Sequence, residues 1–408
     1  MFKWFSNIGP ATLIAAAFIG PGTVTICTLA GVNHGFDLLW AMLFSIFATV
    51  ILQEMSARIG LVANRGIAEI IRTEIGNNTA RLAAIVLVLS AIFIGNAAYE
   101  AGNLSGAVMG LEALQLRSPI AEFNLMSLLV GLIAFVILWI GDYKLIERIL
   151  VAIVILMSVS FFVAAIATKP SLGDVLRGIT IPSLPNENST STIMGIIGTT
   201  VVPYNLFLHA SLVKQRWSGT AQLSAVRKDL YISIIFGGIV SLMIIIAAAS
   251  LYGKGFVVTN ALDMARSLEP LLGKSSRYMI GVGLFAAGIT SAITAPLAAA
   301  YVCTELLGLD TGLKSKSFRS VWMVILLVGI IVAGNGWKPI MIIKYAQFAN
   351  GLLLPIIAGF LLWMVNKRSV LKNHRNNSFQ NILGLFILVT TIALGLKSIL
   401  TVISKLNF

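Results

Sequence analysis

An apolar run from Ile8 to Ala30 is long enough to cross a bilayer, and Gly20-Pro21-Gly22 sits at its centre. A spanning helix needs about 20 apolar residues. Proline removes a backbone donor and clashes with the preceding turn, while glycine favours non-helical backbone. In hydrocarbon the freed backbone groups survive only where protein or a water-filled cavity satisfies them. An interrupted span of this kind marks a binding site in carriers. A second break, Val202-Pro203-Tyr204-Asn205, lies halfway down the run Ile193 to Val213.

The rest of the chain has the same character. Of its 408 residues, 58% are hydrophobic and only 11% charged. Soluble domains carry roughly 25% charged residues, so this is an all-α, multi-pass membrane protein. Apolar runs predict eleven helices, near 8–32, 38–60, 81–107, 122–140, 145–168, 191–213, 229–252, 276–305, 319–334, 338–366 and 380–404. The first run exceeds a signal-peptide core of 7–15 residues and reads as a retained helix. The loop from Thr168 to Thr190 is polar and too short for a domain of its own.

The net charge of +13 is a matter of topology. With a cytoplasmic N-terminus, Lys3, Arg58, Arg65, Arg72, Arg81, Lys144, Arg148, Lys214, Arg216, Arg227, Lys228, Lys314, Lys316, Arg319, Lys367, Arg368, Lys372 and Arg375 all fall inside. That is 18 of the 29 Lys and Arg residues, as the positive-inside rule expects. The balance points to a lipid bilayer as partner and not to nucleic acid. It puts the protein in a plasma (inner) membrane of bacterial type with an extracytoplasmic C-terminus. Cys27 and Cys303 both fall within spans, which leaves no disulfide framework or zinc cluster. No cofactor is expected. A phosphate-cradling glycine loop, a His-Glu-x-x-His helix and a Ser/His/Asp arrangement are all lacking, which argues against an ATP-driven pump or an enzyme.

The breaks fall in helices 1 and 6, five helices apart and therefore oppositely directed. Residues 1–170 (helices 1–5) and 171–366 (helices 6–10) are candidate inverted repeats, with 367–408 supplying a cytoplasmic loop and helix 11. Such pseudo-symmetry puts the substrate near the midplane, between the unwound segments.

Several motifs resemble the NRAMP (natural resistance-associated macrophage protein) family of divalent-metal transporters. They are Gly9-Pro10, Gly20-Pro21-Gly22-Thr23, Leu38-Leu39-Trp40, Gln53, Ser56-Ala57-Arg58-Ile59-Gly60, Gly66-Ile67-Ala68-Glu69 and Pro203-Tyr204-Asn205-Leu206-Phe207-Leu208-His209-Ala210. Gln347 and Pro355 fit the helix-10 pattern. The resemblance implies a LeuT-like fold, alternating access and proton coupling. It also exposes departures. The family's helix-1 Asp and Asn ligands align with Gly20 and Thr23, its helix-6 Met with Val202, and the alanine that offers its carbonyl with Thr199. Charge, amide and sulfur are lost together. Soft sulfur selects transition metals and oxygen suits harder ions.

Two readings of the cargo stand at this point: a divalent metal, as the resemblance implies, or a small anion or neutral polar molecule. Half-helix N-termini near Thr23 and Tyr204 favour the second, because their positive dipole ends would face a pocket without fixed negative charge. A channel-like or sensing protein is a further alternative. The candidate substrate site comprises Gly20, Thr23, Thr199, Val202, Tyr204 and Asn205, with the Gly20 and Val202 carbonyls as metal donors. Thr25 is a further hydroxyl on the same stretch. Glu100 is a carboxylate deep in helix 3; it and His209 are the candidates for proton coupling, and packing roles are the alternative for both. Asn96, Asn103, Gln347 and Asn350 are polar intramembrane groups that line the pathway or join helices. Glu54 and Arg58, four residues apart, read as a surface ion pair. His34 and His374 read as exposed loop residues. Oligomeric state is not legible.

Overall fold

The computed structural model describes residues 19–116, 124–141, 144–186 and 189–406. The described residues are helical with no strand. Helices of eight residues or more are α1 (Pro21–His34), α2 (Leu39–Ala63), α3 (Ile67–Glu74), α4 (Asn78–Ala113), α5 (Leu125–Ile140), α6 (Lys144–Ala167), α7 (Leu172–Thr180), α8 (Ser189–Thr200), α9 (Pro203–Arg216), α10 (Leu223–Ala249), α11 (Ser276–Leu307), α12 (Lys316–Gly334), α13 (Pro339–Asn366) and α14 (Ser378–Leu406).

Each of the eleven expected spans falls on a described helix. Helix 1 is α1, its first half and Gly9-Pro10 lying outside the described residues; helix 6 is α8 followed by α9. Among the described residues eight spans are long and apolar enough to cross a membrane, α8 and α9 counting together as one; α5 is a shorter apolar helix. Two amphipathic pieces, α3 and α7, were not expected. The loop after α6 holds α7, turned 118° from the end of α6. Lys169 at φ 49° and Pro170 force that turn. Ser171 then caps α7 by accepting the Asp174 amide.

Burial is arranged for a lipid surround. Leu132, Ile140, Leu396 and Leu400 are exposed on α5 and α14, while threonines, asparagines and a glutamate are sealed inside. Apolar side chains outward and polar groups inward suit a bilayer, where lipid solvates the one and protein must satisfy the other.

Two groups of helices meet at the centre. In one, α10 packs on α1 and α2, and α2 packs on α9; in the other, α4 packs on α11 and α12, and α12 on α5. Helix α13 joins them through contacts with α4 and α8. Close approach is built in with glycine. A Cβ on Gly198 would lie 1.9 Å from the Gln347 carbonyl oxygen, and one on Gly106 2.1 Å from Cβ of Pro21. The first break is therefore seated directly on α4, and the second directly on α13.

Candidate functional site

Both breaks have a local cause. Gly20, extended at φ −93° and ψ −175°, precedes Pro21 at the first turn of α1. Val202, at φ −75° and ψ 120°, precedes Pro203 at the first turn of α9. A residue before proline is pushed out of the helical region, and proline is well placed at a helix start. The chain thus stops α8 and starts α9 within two residues, Val201 and Val202.

The two breaks meet. Thr23 Oγ1 and Thr199 Oγ1 are hydrogen-bonded at 2.8 Å, and both residues are fully buried. Gly22 faces the same point: a Cβ there would lie 2.1 Å from Gln347 Nε2 and 3.2 Å from Thr199 Oγ1. Thr23, Thr199 and Gln347 are therefore neighbours on three helices. The Gly20 and Val202 carbonyls each accept an amide of the helix they begin, from Val24 at 3.2 Å and from Asn205 at 3.1 Å. Each oxygen keeps one lone pair for another donor or an ion.

Several buried polar atoms at the breaks and on the helices that meet there have no protein partner. They include both side-chain polar atoms of Asn205, the Tyr204 hydroxyl, Gln347 Oε1, Asn350 Nδ2 and Thr25 Oγ1. An unsatisfied buried polar group costs about 1–3 kcal/mol, so buried polar groups are nearly always paired. Such exceptions on the helices that meet at the breaks suit water or a polar cargo. Tyr204 lies edge-on to Tyr99, with ring centroids 5.3 Å apart, and both rings are buried. The sequence reading overlooked Tyr99. Its one signal was its place next to Glu100.

The remaining candidates are divided. Glu100 is fully buried; Oε2 accepts from Asn103 Nδ2 at 3.3 Å and Oε1 has no protein partner. Its stem packs where a Cβ on Gly329 of α12 would lie, 2.6 Å from Cγ. His209 is buried on α9 and pairs through Nδ1 with Gln53 Oε1 of α2 at 2.7 Å, leaving Nε2 unpartnered. Among the described residues no hydrogen bond joins His209 to Glu100. Asn96 returns its amide to Ile92 of its own helix at 2.9 Å, and its Oδ1 is unpartnered. Asn350 lies beside Gly95, whose Cβ would stand 3.5 Å from its Oδ1.

Two expectations need correction. Glu54 and Arg58 are not a surface pair: they are 8% and 2% exposed, and Glu54 Oε1 also accepts from Arg227 of α10 at 2.7 Å. Arg58 is fixed further by the His374 carbonyl and the Asn376 side chain. His34 is buried, 3.4 Å from Thr192 Oγ1. Only His374 retains partial exposure.

The donors at the breaks are hydroxyl, amide and carbonyl oxygens. Among the described residues no group of three or more His, Cys, Asp or Glu side chains is placed to hold a metal ion.

Comparison with known proteins agrees with this architecture. Divalent metal cation transporters MntH of Erwinia tasmaniensis and of Pectobacterium carotovorum are each 26% identical, over 400 and 407 residues. The matches cover 96% and 98% of this chain and 93% and 95% of theirs. By fold, the chain resembles the manganese transporter of Eremococcus coleocola in complex with an aromatic bis-isothiourea substituted compound, with a TM-score of 0.76 and 19% identity. That match covers 99% of this chain and 88% of the other. The nucleobase-cation-symport transporter Mhp1 follows with a TM-score of 0.59 and 14% identity, over 97% and 92% of the two chains. The architecture is thus the LeuT-like one that the resemblance implied. The family model described as natural resistance-associated macrophage protein-like matches residues 11–401, and the chain belongs to that family, Nramp.

Proposed function

We propose that the protein is a secondary carrier that moves a small cation by alternating access, with the cargo passing between the two broken helices. The carrying observation is the buried Thr23–Thr199 hydroxyl pair, where α1 and α8 meet among unpartnered polar atoms. The Nramp relatives named as divalent metal cation transporters support a divalent ion. The donors here are oxygen atoms, which suit a hard ion such as magnesium or manganese better than a soft one. Without a carboxylate in contact, the ion keeps much of its own water, and binding is weaker than in a charged site. Glu100 is the proposed proton acceptor and His209 the residue that links α9 to α2 during the cycle. The positive-inside distribution supports an inner-membrane location with the N-terminus cytoplasmic.

A second reading has its own observation. The absence of an acidic, histidine or thiol cluster among the described residues, together with two half-helix N-termini at the breaks, favours a small anion or neutral polar solute. Uptake into proteoliposomes separates the readings. Saturable manganese or magnesium uptake, accelerated by unlabelled ion on the opposite side, supports the carrier of a cation. Saturable uptake of a small solute with no ion uptake supports the second reading. Flux without trans-stimulation contradicts a carrier altogether.

A further inference from the structure

Helix α10 begins beside the buried Glu54, and a shallow groove, open to its surroundings, lies along its outer face. The groove is lined by Leu223, Ser224, Arg227, Lys228, Tyr231 and Ile232. These residues form two adjacent rows at i, i+4 spacing, 223/227/231 and 224/228/232, which share one face of a helix. From the second turn inward this face changes from charged to apolar. The two cations sit one turn in, and Tyr231 and Ile232, 38% and 56% exposed, lie one turn deeper in the span.

We propose that this groove seats an anionic phospholipid of the cytoplasmic leaflet, its phosphate between Arg227 and Lys228 and its acyl chains along Tyr231 and Ile232. The assignment of leaflet rests on the orientation proposed above. Charge complementarity is the first argument. Both hydrogen bonds recorded for Arg227, from Nε at 2.9 Å and Nη2 at 2.7 Å, go to Glu54 Oε1. Nη1 has no protein acceptor among the described residues. Lys228 is exposed, and among the described residues no carboxylate lies within ion-pair distance of it. Arginine and lysine together offer the bidentate and point-charge donors that phosphate takes. The second argument is amphipathic. A soluble phosphate would use the cations but gain nothing from the apolar floor beneath them, whereas a lipid fills both. Basic pockets at the cytoplasmic ends of spans bind anionic headgroups on these grounds. Because Arg227 also holds Glu54 of α2, a bound lipid fastens α10 to α2 through one guanidinium.

The test compares thermal unfolding of the full chain in nanodiscs of phosphatidylcholine alone and with added phosphatidylglycerol. The wild type is expected to unfold at higher temperature with phosphatidylglycerol. Lys228→Gln, which leaves the Glu54 contact intact, should lose at least half of that rise. Arg227→Gln should lose it as well and start from a lower baseline. Lys316→Gln, an exposed basic residue away from the groove, should keep it. An equal rise in wild type and Lys228→Gln overturns the proposal, as does an equal loss in Lys316→Gln, which would make the effect one of general surface charge. Millimolar inorganic phosphate that reproduces the rise in phosphatidylcholine discs also overturns it, in favour of a soluble anion. Failure of uptake assays would leave these outcomes unaffected.

Discussion

At the scale of single residues, the two glycines around Gln347 separate packing from function. A methyl at position 198 meets backbone, the Gln347 carbonyl at 1.9 Å and the Gly351 amide nitrogen at 2.6 Å. Backbone cannot step aside locally, so Gly198→Ala should destabilise the fold by about 1–3 kcal/mol, the usual range for overpacking. A methyl at position 22 meets the end of the flexible Gln347 side chain. Gly22→Ala should therefore keep most of the stability and lose transport, because the displaced amide borders the Thr23–Thr199 contact. Thermal unfolding and uptake, measured on both variants, check the contrast. Thr199→Val keeps the volume and removes one hydroxyl. It should raise the KM for cargo about tenfold, roughly 1.4 kcal/mol, with a modest change in stability. Glycine and proline made the first break legible in the sequence, the family resemblance pointed to Thr199, and Gly198, inside α8, carried no signal. Tyr99 was not legible. Asn96, Glu100 and Asn103 mark the inward face of α4 at helical spacing, and Tyr99 shares it, but an aromatic ring suits either that face or lipid.

At the scale of elements, α2 is the fastener of one end of the molecule. Its Gln53, Glu54, Ser56 and Arg58 reach His209, Arg227, the Leu206 carbonyl and the segment His374–Asn376 in turn. Glu54→Ala leaves Arg58, 3% exposed in its side chain, without its counter-charge. Removing one partner of a buried pair costs about 3–5 kcal/mol, and the partial exposure of Arg227 puts this case at the lower end. Thermal unfolding of Glu54→Ala against wild type checks it. The sequence showed the i, i+4 pair but could not show that α10 covers it, because that burial depends on residues 173 positions away. Helices α3 and α7 escaped notice for a related reason. They are nine residues or shorter, and only packing on the membrane spans makes such short helices stable. At the end of α3, a hydrogen bond from Ser369 and contacts with Arg65 and Lys367 hold the Glu74 carboxyl below its ordinary value. A depressed carboxylate stabilises above its unfolded pKa, and that contribution is lost as pH falls through the folded one. The stability difference between wild type and Glu74→Gln should be full at pH 7, begin to fall near pH 4.5 and vanish only once the pH is below the depressed folded value, as thermal unfolding across that range would register.

At the scale of the whole molecule, the architecture was legible because the bilayer imposes the hydropathy of the spans and penalises any interruption, so the two proline breaks stand out. The chemistry of the cargo was less so. Motifs identify the family, yet the resemblance aligns its metal-holding positions with Gly20, Thr23 and Val202, none of which brings a carboxylate, side-chain amide or sulfur. The fold brings these breaks together around neutral oxygens. Restoring the acid and the amide tests that account directly. Gly20 has a negative φ of −93°, which an aspartate adopts without strain. Calorimetric titration of manganese into the wild type and into Gly20→Asp/Thr23→Asn is the decisive measurement. Weak binding to the wild type and at least tenfold tighter binding to the double variant would bear the account out, and equal affinities would contradict it.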